Sequence, residues 1–196
     1  MKEVGLYFGS FNPIHIGHLI VAHGMLQNSS IDEIWFVVSP QNPFKQRQDL
    51  LDGHHRLEMV RRATADNSRL HVCDVEFCLP MPSYTARTLS HLSDQFPDDR
   101  FCIIMGSDNL ATFDRWHDWE RILNDHHIYC YPRKGFKDFP IISHPHVTMI
   151  PTPTVDISST YIRQQILAGK DVRYLMPDPA YSYLVEKHFY EGMNKS

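Results

Sequence analysis

With 196 residues, 42% of them hydrophobic, the chain can bury one sizeable core, and a single domain over 1–196 is expected. A formal charge of -4 excludes a broad basic footprint for duplex nucleic acid but leaves small anionic ligands open as partners. The chain passes from Met1 straight into a strand pattern without a leader-like segment, and no stretch approaches membrane-spanning length, so a cytoplasmic protein with no membrane partner is expected.

In chain order, the β-rich runs are "VGLYF", "EIWFVVS", "LHVCDVEF", "RFCIIMG", "HHIYCY" and "HVTMI". Amphipathic stretches alternate with them at about 17–28, 53–66, 85–96, 116–124 and 158–168, with a last one near 178–191. Such alternation predicts an α/β, Rossmann-like, doubly wound and mainly parallel sheet with helices on both faces. In the stretch at 53–66, Leu57, Val60 and Ala63 form the apolar stripe, and Arg56, Glu58, Arg61 and Arg62 are expected on a solvated flank. Cys73, Cys78, Cys102 and Cys130 lie in the predicted strands without metal-knuckle or disulfide spacing and read as buried thiols. The pairs His54/His55, His126/His127 and His144/His146 lack matched ligand spacing, and no metal ligand is assigned. Nothing in the sequence signals an oligomeric state.

Three proline-containing connections, "SPQNPFK", "LPMPSYT" and "PTPTVDISS", each follow an apolar run and should emerge at the carboxyl edge of the sheet, where ligands bind in open α/β folds. The first run leads into "GSFNPIHIGH", residues 9–18, which is neither a dinucleotide fingerprint nor a "GxxxxGK" loop. Gly17 removes side-chain bulk where a helix begins, and a helix start aims free N–H groups and the positive end of its dipole at an anion. His15 and His18 either add donors to such a phosphate site or merely finish the turn; their place on a strand-to-helix loop with Gly9 and Gly17 favours phosphate. A second hydroxyl-rich helix start, "DISSTYIR" at 156–163, offers Ser158 as a cap, Ser159 and Thr160 toward an anion, and Arg163 on the same helical face as Ser159. Taken alone it is an ordinary helix cap with a surface arginine.

Together, "HIGH" and "ISSTYIR" resemble the HxGH and ISSTxxR motifs of the nucleotidyltransferase superfamily. Three further segments resemble its nicotinate-nucleotide adenylyltransferases. "SPQNPFK" is similar to a loop ending in a lysine, here Lys45. "PSYTARTL" is similar to SYTxDTL, with Arg87 in place of the usual aspartate. "IIMGSDNLATFDRWHDWERIL" is similar to GxD...FxxWxxWxxIL, with His117 where relatives often carry an aromatic or larger side chain. In the first motif, Ile14 replaces a common proline.

The resemblance implies adenylyl transfer from ATP to nicotinate mononucleotide, giving nicotinate adenine dinucleotide and pyrophosphate. It implies catalytic roles for His15, His18 and Arg163 and ATP binding by Gly9, Ser10, Phe11, Gly17, Ser158, Ser159 and Thr160. The acceptor would meet Lys45, Thr85, Asp108 and Trp116, with Trp116 against the pyridine ring and Trp119 left to packing. Magnesium is expected to be bound mainly through the ATP phosphates.

Overall fold

The computed structural model describes residues 1–40, 50–136 and 140–192. Its strands are β1 (Glu3–Gly9), β2 (Glu33–Val38), β3 (Leu70–Cys73), β4 (Arg100–Gly106), β5 (Ile128–Tyr131) and β6 (Val147–Met149). Its helices are α1 (Ile16–Asn28), α2 (Gly53–Thr64), α3 (Thr85–Gln95), α4 (Ser107–Leu110), α5 (Trp119–Asp125), α6 (Ser159–Leu167) and α7 (Asp178–Glu186). The strands form one sheet in the order β3-β2-β1-β4-β5-β6, and every neighbouring pair is parallel. The expected doubly wound fold is therefore present, and its sheet is wholly parallel among the described residues.

Alternation along the strands explains the two covering layers. Val4 and Leu6 of β1, with Phe101, Ile103 and Met105 of β4, pack against Leu89 and Leu92 of α3 and Ile122 of α5. Tyr7, Cys102 and Ile104 point to the other face, where Met25 of α1, Val60 of α2, Ile162 of α6 and Leu184 of α7 cover them. Burial on both faces is why the strands read as nearly continuous apolar runs. After winding outward through β2 and β3 the chain returns to place β4 beside β1, so the winding reverses between these two strands. A crevice at their carboxyl ends is the usual ligand position in such a sheet.

Several elements differ from expectation. The run at 70–77 is a strand only to Cys73; Val75–Phe77 form a 3-10 turn. That turn buries the Glu76 side chain against α3, where the Thr88 hydroxyl donates to its carboxylate at 3.0 Å. Cys78 follows the turn and is exposed, whereas Cys73, Cys102 and Cys130 are buried free thiols. The helix expected from 116 begins at Trp119, because Phe113–Arg115 coil into a 3-10 turn and Asp118 takes a left-handed φ of 55°. The last helix stops at Glu186, and left-handed φ values of 53° at His188 and 65° at Tyr190 fold the following residues back onto the core. The flank of α2 is also corrected. Glu58 pairs with Arg61 and Arg62 at 2.6 and 2.8 Å as a partly solvated group, but Arg56 is 0% exposed. No helix among the described residues is long and apolar enough to cross a membrane.

Candidate active site

The loop leaving β1 is shaped from within. Phe11 takes a left-handed φ of 43°, a conformation uncommon for a bulky residue, and its ring is buried among Tyr7, Phe36 and His18. The ring occupies the space that a Cβ on Gly9 would need, at 2.8 Å from that position. Gly9 thus makes room for Phe11, and Phe11 can offer a ligand only its backbone. One turn on, Gly17 makes room for the His15 ring, whose Nδ1 lies 2.9 Å from where a Cβ would stand.

His15 is the N-cap residue of α1, and its backbone N–H donates to Nδ1 of His18 at 3.1 Å. An Nδ1 that accepts leaves the proton of the neutral ring on Nε2, so the far edge of His18 is a donor. The two imidazoles stack with centroids 3.7 Å apart. His15 is only 4% exposed; its ring faces the N3 backbone in a capping-box arrangement, yet its buried Nδ1 completes no well-formed hydrogen bond among the described residues. Burial, assisted by the nearby Arg133 cation, lowers its pKa to about 4. His15 is therefore neutral at pH 7, with an unsatisfied ring nitrogen at the positive end of a helix.

The start of α6 is tied to this loop by side chains. Ser158 caps the helix by accepting from the Tyr161 N–H at 3.1 Å. The Ser159 hydroxyl donates to Pro13 O at 2.8 Å, and Arg163 Nη1 donates to Asn12 O at 2.8 Å. Thr160 is exposed beside them. Asn12 Oδ1 in turn accepts from the Tyr190 hydroxyl at 2.7 Å and from the Leu51 N–H at 3.2 Å. The two hydroxyl- and histidine-bearing helix starts, 143 residues apart from Ile16 to Ser159, are thereby held together at the carboxyl end of β1.

Across the crevice, Asp108 sits in the first turn of α4, directly after β4. Its Oδ1 is buried without a hydrogen-bond partner among the described residues and lies 3.9 Å from Arg133 Nε. A Cβ on Gly106 would collide with that oxygen, so glycine is required two residues before the aspartate. Arg133 packs over the Tyr131 ring and bonds through its backbone N–H to the Ser107 hydroxyl at 2.8 Å. Sequence reasoning missed Arg133. Its only signal was a cation just beyond the carboxyl end of β5, a position adjoining the crevice.

Thr85 opens α3, so its N–H is left over from the helical ladder. Trp116 and Trp119 are both partly buried against Phe113, at centroid distances of 5.3 and 6.4 Å. The packing expected for Trp119 is thus shared by Trp116. Glu76, behind the α3 start, has its pKa raised by burial, which outweighs the hydroxyls of Ser39, Thr88 and Ser83. Lys45 lies outside the described residues. No group of three or more His, Cys, Asp or Glu side chains that could hold a metal ion occurs among the described residues. The paired histidines serve the fold instead: His126 Nδ1 meets Phe101 O and His146 Nδ1 meets Leu123 O.

A cytidylyltransferase-like family model matches residues 6–165. The chain is 46% identical over 191 residues to a probable nicotinate-nucleotide adenylyltransferase of Flavobacterium psychrophilum, covering 96% of this chain and 99% of that protein. A protein of the same description from Bacteroides fragilis is 42% identical over 185 residues, covering 94% and 92%. The chain belongs to the nicotinate-nucleotide adenylyltransferase family. Among solved structures, the Plasmodium falciparum nicotinic acid mononucleotide adenylyltransferase complexed with NaAD superposes with a TM-score of 0.82 over 97% of this chain and 98% of that one, at 23% identity. That likeness bears on the fold.

The family departures find local explanations. Arg87 donates to Pro80 O at 2.8 Å and lies over the Tyr84 ring, bracing the turn before α3. His117 stacks on Tyr84 with centroids 4.8 Å apart, joining the segment before α3 to the segment before α5. Ile14 is wholly buried, so the missing proline leaves an apolar contact in its place.

Proposed function

We infer that the protein transfers the adenylyl group of ATP to nicotinate mononucleotide, forming nicotinate adenine dinucleotide in NAD biosynthesis. The observation that carries this reading is the junction of the α1 and α6 starts at the carboxyl end of β1, where the stacked imidazoles of His15 and His18 stand at a helix N-terminus. Membership of the adenylyltransferase family supports the substrate pair.

In the reaction, an oxygen of the acceptor phosphate attacks the α-phosphorus of ATP as the bond from that phosphorus to the β-phosphate bridging oxygen breaks. The bonding electrons leave with pyrophosphate. The attacking phosphate is already ionised, so the protein needs no nucleophile and no base; alignment and charge neutralisation carry the rate. His18 Nε2–H and His15 donate to the triphosphate, with Gly17 and the backbone of Gly9, Ser10 and Phe11 lining the approach. Arg163 and the α6 start, through the Ser158 and Thr160 hydroxyls and the free backbone N–H groups at Ser159 and Thr160, hold the leaving phosphates. The triphosphate supplies the charge and the hydrogen-bond partner that the buried His15 ring lacks.

On the acceptor side, Lys45 neutralises the mononucleotide phosphate, Asp108 accepts from ribose hydroxyls, and Trp116 stacks on the pyridine ring. Magnesium fits as an ion arriving on ATP: the donors at the α1 and α6 starts are imidazole, guanidinium and hydroxyl groups, and no carboxylate cage occurs among the described residues. When bound there it draws charge from the pyrophosphate leaving group.

The test is to supply magnesium-ATP with nicotinate mononucleotide, nicotinamide mononucleotide or phosphopantetheine and to identify the product and the pyrophosphate released. If N–H groups at Thr85 and beside Trp116 receive the nicotinate carboxylate, an amide leaves buried donors unpaired, and the acid is preferred by roughly one to several powers of ten. Equal efficiency with both pyridine mononucleotides would replace this pocket with a dual-specificity one. Absence of pyrophosphate with every acceptor would reject the enzyme.

A further inference from the structure

Arg56 stands out because burying a guanidinium is costly, yet no carboxylate among the described residues hydrogen-bonds to it. It rises from the first turn of α2 and, among the described residues, donates to backbone carbonyls alone: Nε to Leu51 O at 2.8 Å, Nη1 to Ser10 O at 2.6 Å and Ser39 O at 2.9 Å, and Nη2 to Pro40 O at 3.1 Å. These four oxygens belong to three segments: the loop after β1, the end of β2, and the approach to α2. Pro40 and Leu51 are the roots from which the β2–α2 connection departs and returns. An apolar side chain here would leave these carbonyls without their donor, so the position calls for a multiple donor. What only arginine provides is a rigid planar fork that meets several acceptors at fixed angles.

We propose that Arg56 is a positioning residue for the acceptor, clamping both roots of the β2–α2 connection to the loop that follows β1. The inference rests on the reading that this connection receives the acceptor phosphate. The β1 loop has three further side-chain anchors in Arg163, Ser159 and Tyr190, whereas the roots keep only the Ser39 N–H on Gly9 O and the Leu51 N–H on Asn12 Oδ1 among the described residues, and the Ser39 and Pro40 carbonyls share one cation. Losing the fork therefore frees the acceptor side more than the ATP side.

The experiment compares the unmutated enzyme with Arg56→Lys and Arg56→Gly. Arg56→Lys keeps the charge but lacks the fork; its acceptor KM should rise about ten-fold or more while the ATP KM stays within about three-fold. In Arg56→Gly, added methylguanidinium should restore acceptor KM where n-propylammonium does not. Without substrate, hydrogen exchange in Arg56→Lys should speed up in peptides spanning 36–40 and 50–53 more than in those spanning 158–163. That measurement needs no acceptor, so it decides the clamping independently of which mononucleotide the enzyme uses. Equal KM changes for both substrates, unchanged KM values, equal rescue by the two cations, or uniform exchange across these peptides would each overturn the proposal. If Arg56→Gly does not fold, Arg56→Lys and its exchange pattern decide.

Discussion

Two loops leave the carboxyl edge on adjacent strands and are held in opposite ways. The loop after β1 is fastened from a distance, by side chains of α2, α6 and the C-terminal turn reaching its carbonyls and the Asn12 amide. The segment after β4 is held mostly by itself, through successive short turns: Ala111 to Ser107, Thr112 to Asn109, Trp116 to Phe113 and Trp119 to Trp116. Its main outside fixings are the buried Phe113 ring and the Arg133 N–H on Ser107. Preorganised donors suit charge that develops during reaction, since they need no rearrangement as it appears. A chain of local turns ending in aromatic faces suits recognition of a flat ring.

This contrast is broken most severely by His18→Ala. Loss of a charge-stabilising donor should lower kcat about 10² to 10³-fold with the fold intact by circular dichroism. Near-normal turnover would remove the β1 loop from the chemistry.

Acidification probes the same loop through stability. His15 in the folded state refuses a proton that the unfolded chain accepts at its ordinary value near 6.5, and the folded value is about 4. Stability is thus complete above about pH 6.5 and falls as the pH drops toward 4, by at most about 3 kcal/mol from this group. Denaturant titrations of the wild type and His15→Gln should converge over that interval. Parallel curves would show that His15 is not the source.

On the β4 side, Trp116→Ala should raise the KM for nicotinate mononucleotide by roughly ten-fold through loss of stacking, with the ATP KM little changed. An equal rise for ATP would mean that the two loops are not separable. The smallest effect is expected from Tyr190→Phe, which removes one hydroxyl from Asn12 at a cost of about 1 to 2 kcal/mol in stability and a few-fold in rate. A fully wild-type melting curve would show that the remaining anchors suffice.

The asymmetry also governs what could be read from the sequence. Both-face burial writes itself into the apolar runs, so the strands and the ligand edge of the sheet were legible, as was the Ser158 cap, whose signal lies in neighbouring residues; that β4 returns beside β1 was not. "DVEF" alternates like a strand, but burial of Glu76 against Thr88 sets its conformation, and Thr88 lies on another element. Arg56 occupied the polar flank of an amphipathic helix, and its partners are carbonyls, which every residue possesses. Arg133 was hidden similarly, since only the sheet order brings β5 near β4. Gly9 and Gly17 were legible as glycines but not as seats for the rings of Phe11 and His15.

The bond between Asn12 and Tyr190 joins groups 178 residues apart. At a synthesis rate of roughly 5 to 20 residues per second, the loop emerges from the ribosome some 10 to 35 seconds before its last anchor. During that interval the loop lacks its α6 fastenings as well as this last one, so nascent chains should acquire most of their nucleotide affinity once α6 has emerged and a final few-fold with docking of the last turn.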